Sequence, residues 1–179
     1  FSIDFATGKK NWELKLGIGI AASPAYLDEK IFVGDIDGFF HCVGTNGKLV
    51  WKIETGGEIS SSANFFNGHV LFGSQDGKLY LLNASDGATI WELETPDQIQ
   101  CSATVAQNRA FVAGCDGFLH VIDLDQGKEV GSADIFSPTQ STPATFGDQV
   151  FFGTEQAEFV AVNWRNPKID WSFVSEEGQ

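Results

Sequence analysis

The chain has 179 residues, 42% of them hydrophobic, and a formal net charge of −13. That apolar content can bury a sizeable core and excludes a chain disordered by composition, and no apolar run approaches the roughly 20 residues that span a bilayer. The acidic balance argues against nucleic acid and anionic membranes as partners, because binding to phosphates rests on Lys and Arg releasing counterions.

From its first residues the chain repeats itself. Trp12, Trp51, Trp91 and Trp171 stand on one lattice of 39 to 40 residues, with Gly131 at the remaining node. A fixed period of this length marks one supersecondary unit that buries its faces against its neighbours. Residues 1–16 read as the outer part of one unit: Gly8 lies four residues before Trp12, and Trp12, Leu14 and Leu16 alternate with Glu13 and Lys15. Residues 17–56 form the first whole unit, with Ser23-Pro24, Asp37-Gly38, Gly47 and Trp51 in phase. The clearest copy is 57–96, where Asn67-Gly68, Asp76-Gly77 and Asp86-Gly87 cut four strand-sized segments. Asn-Gly and Asp-Gly supply the positive φ angles of tight hairpins, so four antiparallel strands follow one another. Residues 97–136 repeat the pattern with Ser102-Ala103, Asp116-Gly117 and Gly127, while 137–175 depart from it at Gln156-Ala157 and Pro167.

Within each copy the first segment is small, as in Ala21-Ala22-Ser23 and Ser60-Ser61-Ser62-Ala63, and the second and third are rich in Val, Leu, Ile and Phe. Small residues suit an innermost strand where sheets converge on an axis. The alternating fourth segment suits an outer strand with one solvated face. No segment has sustained helical periodicity. The expected fold is therefore all-β, a β-propeller of four-stranded antiparallel blades at 17–56, 57–96, 97–136 and 137–175, preceded by a partial blade at 1–16. Trp12, Trp51, Trp91 and Trp171 are expected to dock each outer strand on the next blade. Gly131 and Pro167 predict looser contacts in the second half, or replacement packing by Phe136 and Trp164. About four and a half units leave open end faces, so a second copy completing an eight-bladed ring, or a longer propeller, is expected. Both ends read as cut through a repeat.

The strings LYLLNASDGATIW at 79–91, LHVIDLDQGKEV at 119–130 and SIDFATGKKNW at 2–12 resemble the quinoprotein-type (PQQ-like) repeat, in which a strand is followed by Asp-Ala-x-Thr-Gly-Lys-x-x-Trp. Asp4 and Asp123 match the consensus Asp, Asn83 and Asn163 are close substitutes, and Val43 departs from it. The resemblance covers the whole chain. It implies a propeller fold, an extracytoplasmic location, periplasmic or secreted, and membership beside quinone-dependent dehydrogenases, an outer-membrane assembly lipoprotein and many other propellers. Quinone-dependent members carry adjacent cysteines, a calcium site, a catalytic Asp and a Trp floor. Here Cys42, Cys101 and Cys115 are not adjacent and have no CxxC spacing, so they read as buried or half-buried thiols with no disulfide or metal role. GDIDG at 34–38 reads as a hairpin turn, since the further oxygens of a calcium loop are missing.

His41 and His120 fall at equivalent third-strand positions and read as packing, and His69 reads as solvated. No catalytic, cofactor or metal residues emerge. The expected function is a non-catalytic scaffold for protein or ligand binding, with a quinoprotein dehydrogenase fragment or a sensor propeller fused to a larger enzyme as the alternatives. Asp35, Asp37, Glu58, Asp76, Asp97, Asp116 and Glu155 all fall in second-to-third-strand turns or in connections between blades, which open on one side of a propeller. Lys30, Lys48, Arg109 and Lys128 fall near the opposite turns. This acidic side is the candidate face for a basic peptide, protein surface or cation. The competing reading is that Asp merely suits tight turns, which does not cover Glu58 and Glu155.

Overall fold

The positive φ angles that the turn pairs call for are present: Asn67 and Gly68 stand at +48° and +78° and reverse the chain between two strands. A computed structural model describes residues 1–174 and contains eighteen strands and no helix among them. Strands β1 (Ser2–Ile3) and β2 (Lys10–Trp12) make a two-stranded sheet. Four sheets of four follow in simple up-and-down order. They comprise β3–β6 (Ala25–Leu27, Lys30–Gly34, Phe39–Gly44, Leu49–Glu54) and β7–β10 (Asn64–Phe66, His69–Gly73, Lys78–Asn83, Thr89–Glu94). The other two are β11–β14 (Thr104–Ala106, Arg109–Ala113, Phe118–Asp123, Lys128–Asp134) and β15–β18 (Ala144–Phe146, Gln149–Gly153, Glu158–Asn163, Lys168–Val174).

The innermost strand differs from expectation. In each sheet it is only three residues long and begins after the small residues rather than on them. The small segments instead join sheet to sheet: the Ser23 N–H donates to Ser62 Oγ at 3.0 Å, Ser62 N–H to Ser102 Oγ at 2.8 Å, and Ser102 N–H to Thr142 Oγ1 at 3.3 Å. A hydroxyl recurs at this place because backbone crowded near the axis has no strand partner there and must be satisfied by the next blade.

Between the sheets lie three apolar layers. Phe32, Phe40, Val70, Phe72 and Leu82 fill the first, with Phe40 stacked on Phe72 at 3.8 Å and Phe72 on Tyr80 at 5.2 Å. Leu71, Leu79, Leu81, Ile99 and Val112 fill the second, and Phe111, Leu119, Val121, Val150 and Val160 the third. Each outer strand carries a bulge immediately before the Trp lattice position, as between Thr89 and Trp91 or between Val121 and Ile122 opposite Gly131. A bulge turns the following side chain out of the regular alternation.

What that side chain meets is the glycine of the next sheet. Trp12 covers Gly47, Trp51 covers Gly87 and Trp91 covers Gly127, so closely that an added Cβ would sit 2.7, 2.8 and 2.5 Å from the respective ring. Each indole N–H donates to a carbonyl of the same turn, of Thr45, Ala84 and Leu124. At the fourth contact the partners are exchanged: Gly131 stands where the Trp would be and Pro167 where the Gly would be, with Pro167 Cγ 2.7 Å from a Cβ added at Gly131. Trp164 supplies replacement packing, edge-on to Phe111 at 5.7 Å with its N–H donating to the Gly147 carbonyl. Phe136 does not, being 75% exposed. Trp171, with no following sheet among the described residues, lies against Phe151 and Phe159 and is 44% exposed. Gly8, its counterpart on the opposite flank, has nothing within 4 Å of an added Cβ.

Candidate partner-binding face

The second-to-third-strand turns and the connections between sheets open on the same side, and three of the connections are tied by a backbone bond to the turn that follows them. The Ile36 N–H donates to the Gly19 carbonyl, Gln75 N–H to Glu58 and Glu155 N–H to Pro138. This lacing brings the candidate acidic residues together, but it also consumes several of their carboxylates.

Asp35 is a correction to the acidic face. It is 0% exposed; its Oδ1 accepts the N–H groups of Asp37 and Phe39, and its Oδ2 lies 2.6 Å from Nε2 of buried His41. No partner outside the chain can reach it. Asp76 is half-buried and its Oδ2 accepts the Tyr80 hydroxyl at 2.6 Å and the Gly56 N–H at 2.8 Å. Burial, then this bond and the charges of Asp76 and Glu92, hold the Tyr80 hydroxyl well above its usual range. Asp116 accepts the Phe118 N–H and lies 2.8 Å from His120 Nε2, while His120 Nδ1 lies 2.6 Å from Glu129 of β14. Both ring nitrogens of His120 are thus engaged by carboxylates, one from the turn and one from the outer strand. His41 and His120 are therefore polar links between turn and sheet, not plain packing; Tyr80 fills the same role between them in sequence. His69, read as solvated, is half-buried with Nδ1 unpartnered.

Four carboxylates remain toward solvent. Asp37 is exposed and accepts the Ile18 N–H through one oxygen, and Asp97 is exposed and accepts the Gln98 N–H. Glu155 is exposed and Glu58 half-buried, and neither side chain has a hydrogen bond or ion pair among the described residues. Asp97, Glu155 and Asp116 come from three successive segments yet converge on Cys115, whose thiol is pushed up by burial first and then by these three charges in that order. Lys30, Lys48, Arg109, Lys128, Arg165 and Lys168 sit at or beside the opposite turns, where Arg109 pairs with Asp123 and Arg165 with Asp148. The same turns also carry Asp28, Glu29, Asp86, Asp125 and Asp148, so that side is of mixed sign. No group of three or more His, Cys, Asp and Glu with metal-holding geometry occurs among the described residues.

One residue of this side was missed as a feature of the face. Phe136 is in the left-handed region at φ +58°, with its N–H donating to Asp134 Oδ1 at 2.9 Å. At the equivalent point in sequence, five residues after the Trp lattice position, the other copies have Gly17, Gly56, Pro96 and Glu176. A bulky residue held there costs about 1–3 kcal/mol relative to relaxed backbone. The sequence signal was an aromatic residue standing where three of the other four copies keep Gly or Pro.

A family model described as outer membrane protein assembly factor BamB matches residues 2–178. Two curated proteins of that name are similar over shorter stretches: one from Francisella tularensis at 35% identity over 75 residues, 38% of this chain and 16% of that protein, and one from Burkholderia pseudomallei at 32% over 85 residues, 48% and 22%. Among solved structures, BamB from Moraxella catarrhalis superposes with a TM-score of 0.85 at 22% identity, covering 96% of this chain and 53% of that one. A computationally designed protein, Ika8, superposes at 0.74 and 15% identity, covering 87% and 49%. At these identities the structural likeness is one of fold, and it makes the stacked sheets part of a β-propeller. The chain spans about half the length of both solved proteins and a smaller share of the curated ones.

Proposed function

The chain belongs to the family of the outer membrane protein assembly factor BamB, and from that premise we propose that it is a non-catalytic propeller scaffold that holds a protein partner on its acidic side. The observation that carries this reading is the separation of roles among the acidic residues. Asp35, Asp76 and Asp116 brace the turns from within, leaving Asp37, Glu58, Asp97 and Glu155 on a rigid rim. A rigid surface of one sign steers a partner of the opposite sign and fixes its orientation, so the partner surface is basic. The names of the curated relatives support an assembly role and a place outside the cytoplasm, at the outer membrane. Blades at 17–56, 57–96, 97–136 and 137–175 with a partial blade at 1–16 remain the proposed division. The unmatched Trp171 and Gly8 favour cover of both flanks by further blades, from the same chain or from a second copy.

The test is retention of envelope proteins by the full chain at low and high salt, beside the double variant Glu58→Lys with Asp97→Lys. The wild type is expected to lose its partner as salt rises, and the variant to retain little at either salt. Equal retention by the two proteins would overturn the reading.

A further inference from the structure

Most exposed aromatic residues of this chain have an ordinary reason to be exposed. Phe159, Trp171 and Phe173 lie on the sheet that no later sheet covers among the described residues, Phe1 and Phe5 flank the first strand of the two-stranded sheet, and Phe146 ends an inner strand at the opposite turns with unstrained backbone. Phe136 has none of these reasons. It is presented to solvent from a left-handed backbone, at a place filled by Gly or Pro in three of the other four copies and by no other aromatic residue. Backbone of this kind persists only where the surroundings impose it, and it gathers at functional sites. The surroundings here are firm: the Ile135 N–H donates to the Gly117 carbonyl on one side, and the Pro138 carbonyl accepts the Glu155 N–H on the other. Phe136 thus stands between the turn that carries Asp116 and the turn that carries Glu155, with exposed Asp134 beside it.

We propose that Phe136 is the apolar anchor of the partner-binding face, and that the segment it receives is an extended polypeptide carrying an apolar side chain between basic ones. This rests on the reading of the acidic side as the binding side. An aromatic held rigid at a tight turn loses little freedom on binding, and such anchors dominate interface energetics. Carboxylates on both flanks match cations placed two residues to either side of the apolar one on an extended segment, because alternate side chains of a strand share one face.

The probe is a short fluorescent peptide repeating Lys-Ser-Leu-Ser, which puts Lys and Leu on one face of an extended chain, read by anisotropy against the full chain, with a Lys-Ser-Ser-Ser repeat of the same charge as control. The wild type is expected to bind the Lys and Leu peptide at least tenfold more tightly than the control. Phe136→Gly and Phe136→Asn, which both accept the left-handed backbone, are expected to weaken it at least tenfold with Tm unchanged or raised. Asp134→Lys with Glu155→Lys is expected to weaken it as well. If the charge reversals weaken binding and the Phe136 variants do not, the anchor is overturned and the acidic face stands. If the wild type does not bind, or the reversals have no effect, the face itself fails and the anchor with it. A Tm several degrees lower in Phe136→Gly would mean that the ring packs within the fold, which also overturns the anchor.

Discussion

Two glycines of the second complete sheet provide an internal control for the docking contact. Gly68 and Gly87 have nearly the same backbone, φ +78° and +76°. Alanine in that conformation costs about 1–2 kcal/mol at either place. Their surroundings differ: a Cβ at Gly68 meets nothing within 4 Å, whereas at Gly87 it would lie 2.8 and 2.9 Å from Trp51 Cε3 and Cδ2. Displacing a packed indole adds about 1–3 kcal/mol of overpacking, and loss of the Trp51 N–H bond to the Ala84 carbonyl adds to it. Gly87→Ala should therefore be less stable than Gly68→Ala by about 1–3 kcal/mol, or about 2–12 °C in Tm for a chain of this size. Urea unfolding followed by tryptophan fluorescence measures the difference. In a Trp51→Ala background the two substitutions should cost the same, because the clash is gone. Equal losses in the wild-type background would refute the account of why Gly and Trp recur together.

The exchanged contact makes a reciprocal prediction. Gly131→Trp alone should destabilise by about 1–3 kcal/mol against Pro167, and Pro167→Gly added to it should recover most of that loss by restoring the regular pair; thermal melts in which the single variant matches the double would count against it. Cys101, whose thiol donates to the Ala113 carbonyl as Ser61 Oγ does to Gly73, is pushed from 9.0 to about 11 chiefly by burial. Its contribution to stability is full below pH 9 and is lost as pH rises from 9 to 11, when the unfolded chain releases the proton first. Cys101→Ser should flatten that part of the alkaline decline, and identical urea midpoints against pH in both proteins would contradict it. The uncovered Trp171 flank and the open Gly8 site should make the chain self-associate; light scattering that reports a stable monomer would argue against apolar end faces.

The period and the turn pairs made strand order, sheet size and the docking tryptophans legible, because each turn needs a residue that tolerates positive φ and each outer strand needs a ring for its neighbour. The sequence held both halves of the docking contact, Trp and the Gly four residues before the next Trp, yet their meeting across sheets depends on the bulge that turns the ring outward. Gly131 and Pro167 look like two separate defects in one dimension and are one contact in three. The candidate face was only partly legible. Asp in a tight turn binds backbone N–H groups as readily as it faces water, so Asp35, Asp76 and Asp116 could not be told from Asp97 by residue type. The spacing of four from Asp76 to Tyr80 and from Asp116 to His120 could have pointed to turn-to-strand pairs. Asp35 and His41, six apart, escaped that pattern.

The most direct test of the acidic side as the binding side sets two exposed phenylalanines on opposite faces against each other. Phe136 lies among the second-to-third-strand turns and is 75% exposed; Phe146 lies at the first-to-second-strand turn and is 82% exposed. A photo-crosslinking phenylalanine analogue placed at either position in the full protein, in intact cells, reports what touches each side. The account predicts discrete protein adducts from position 136 and none from 146. Adducts from 146 alone, or equal adducts from both, would contradict it.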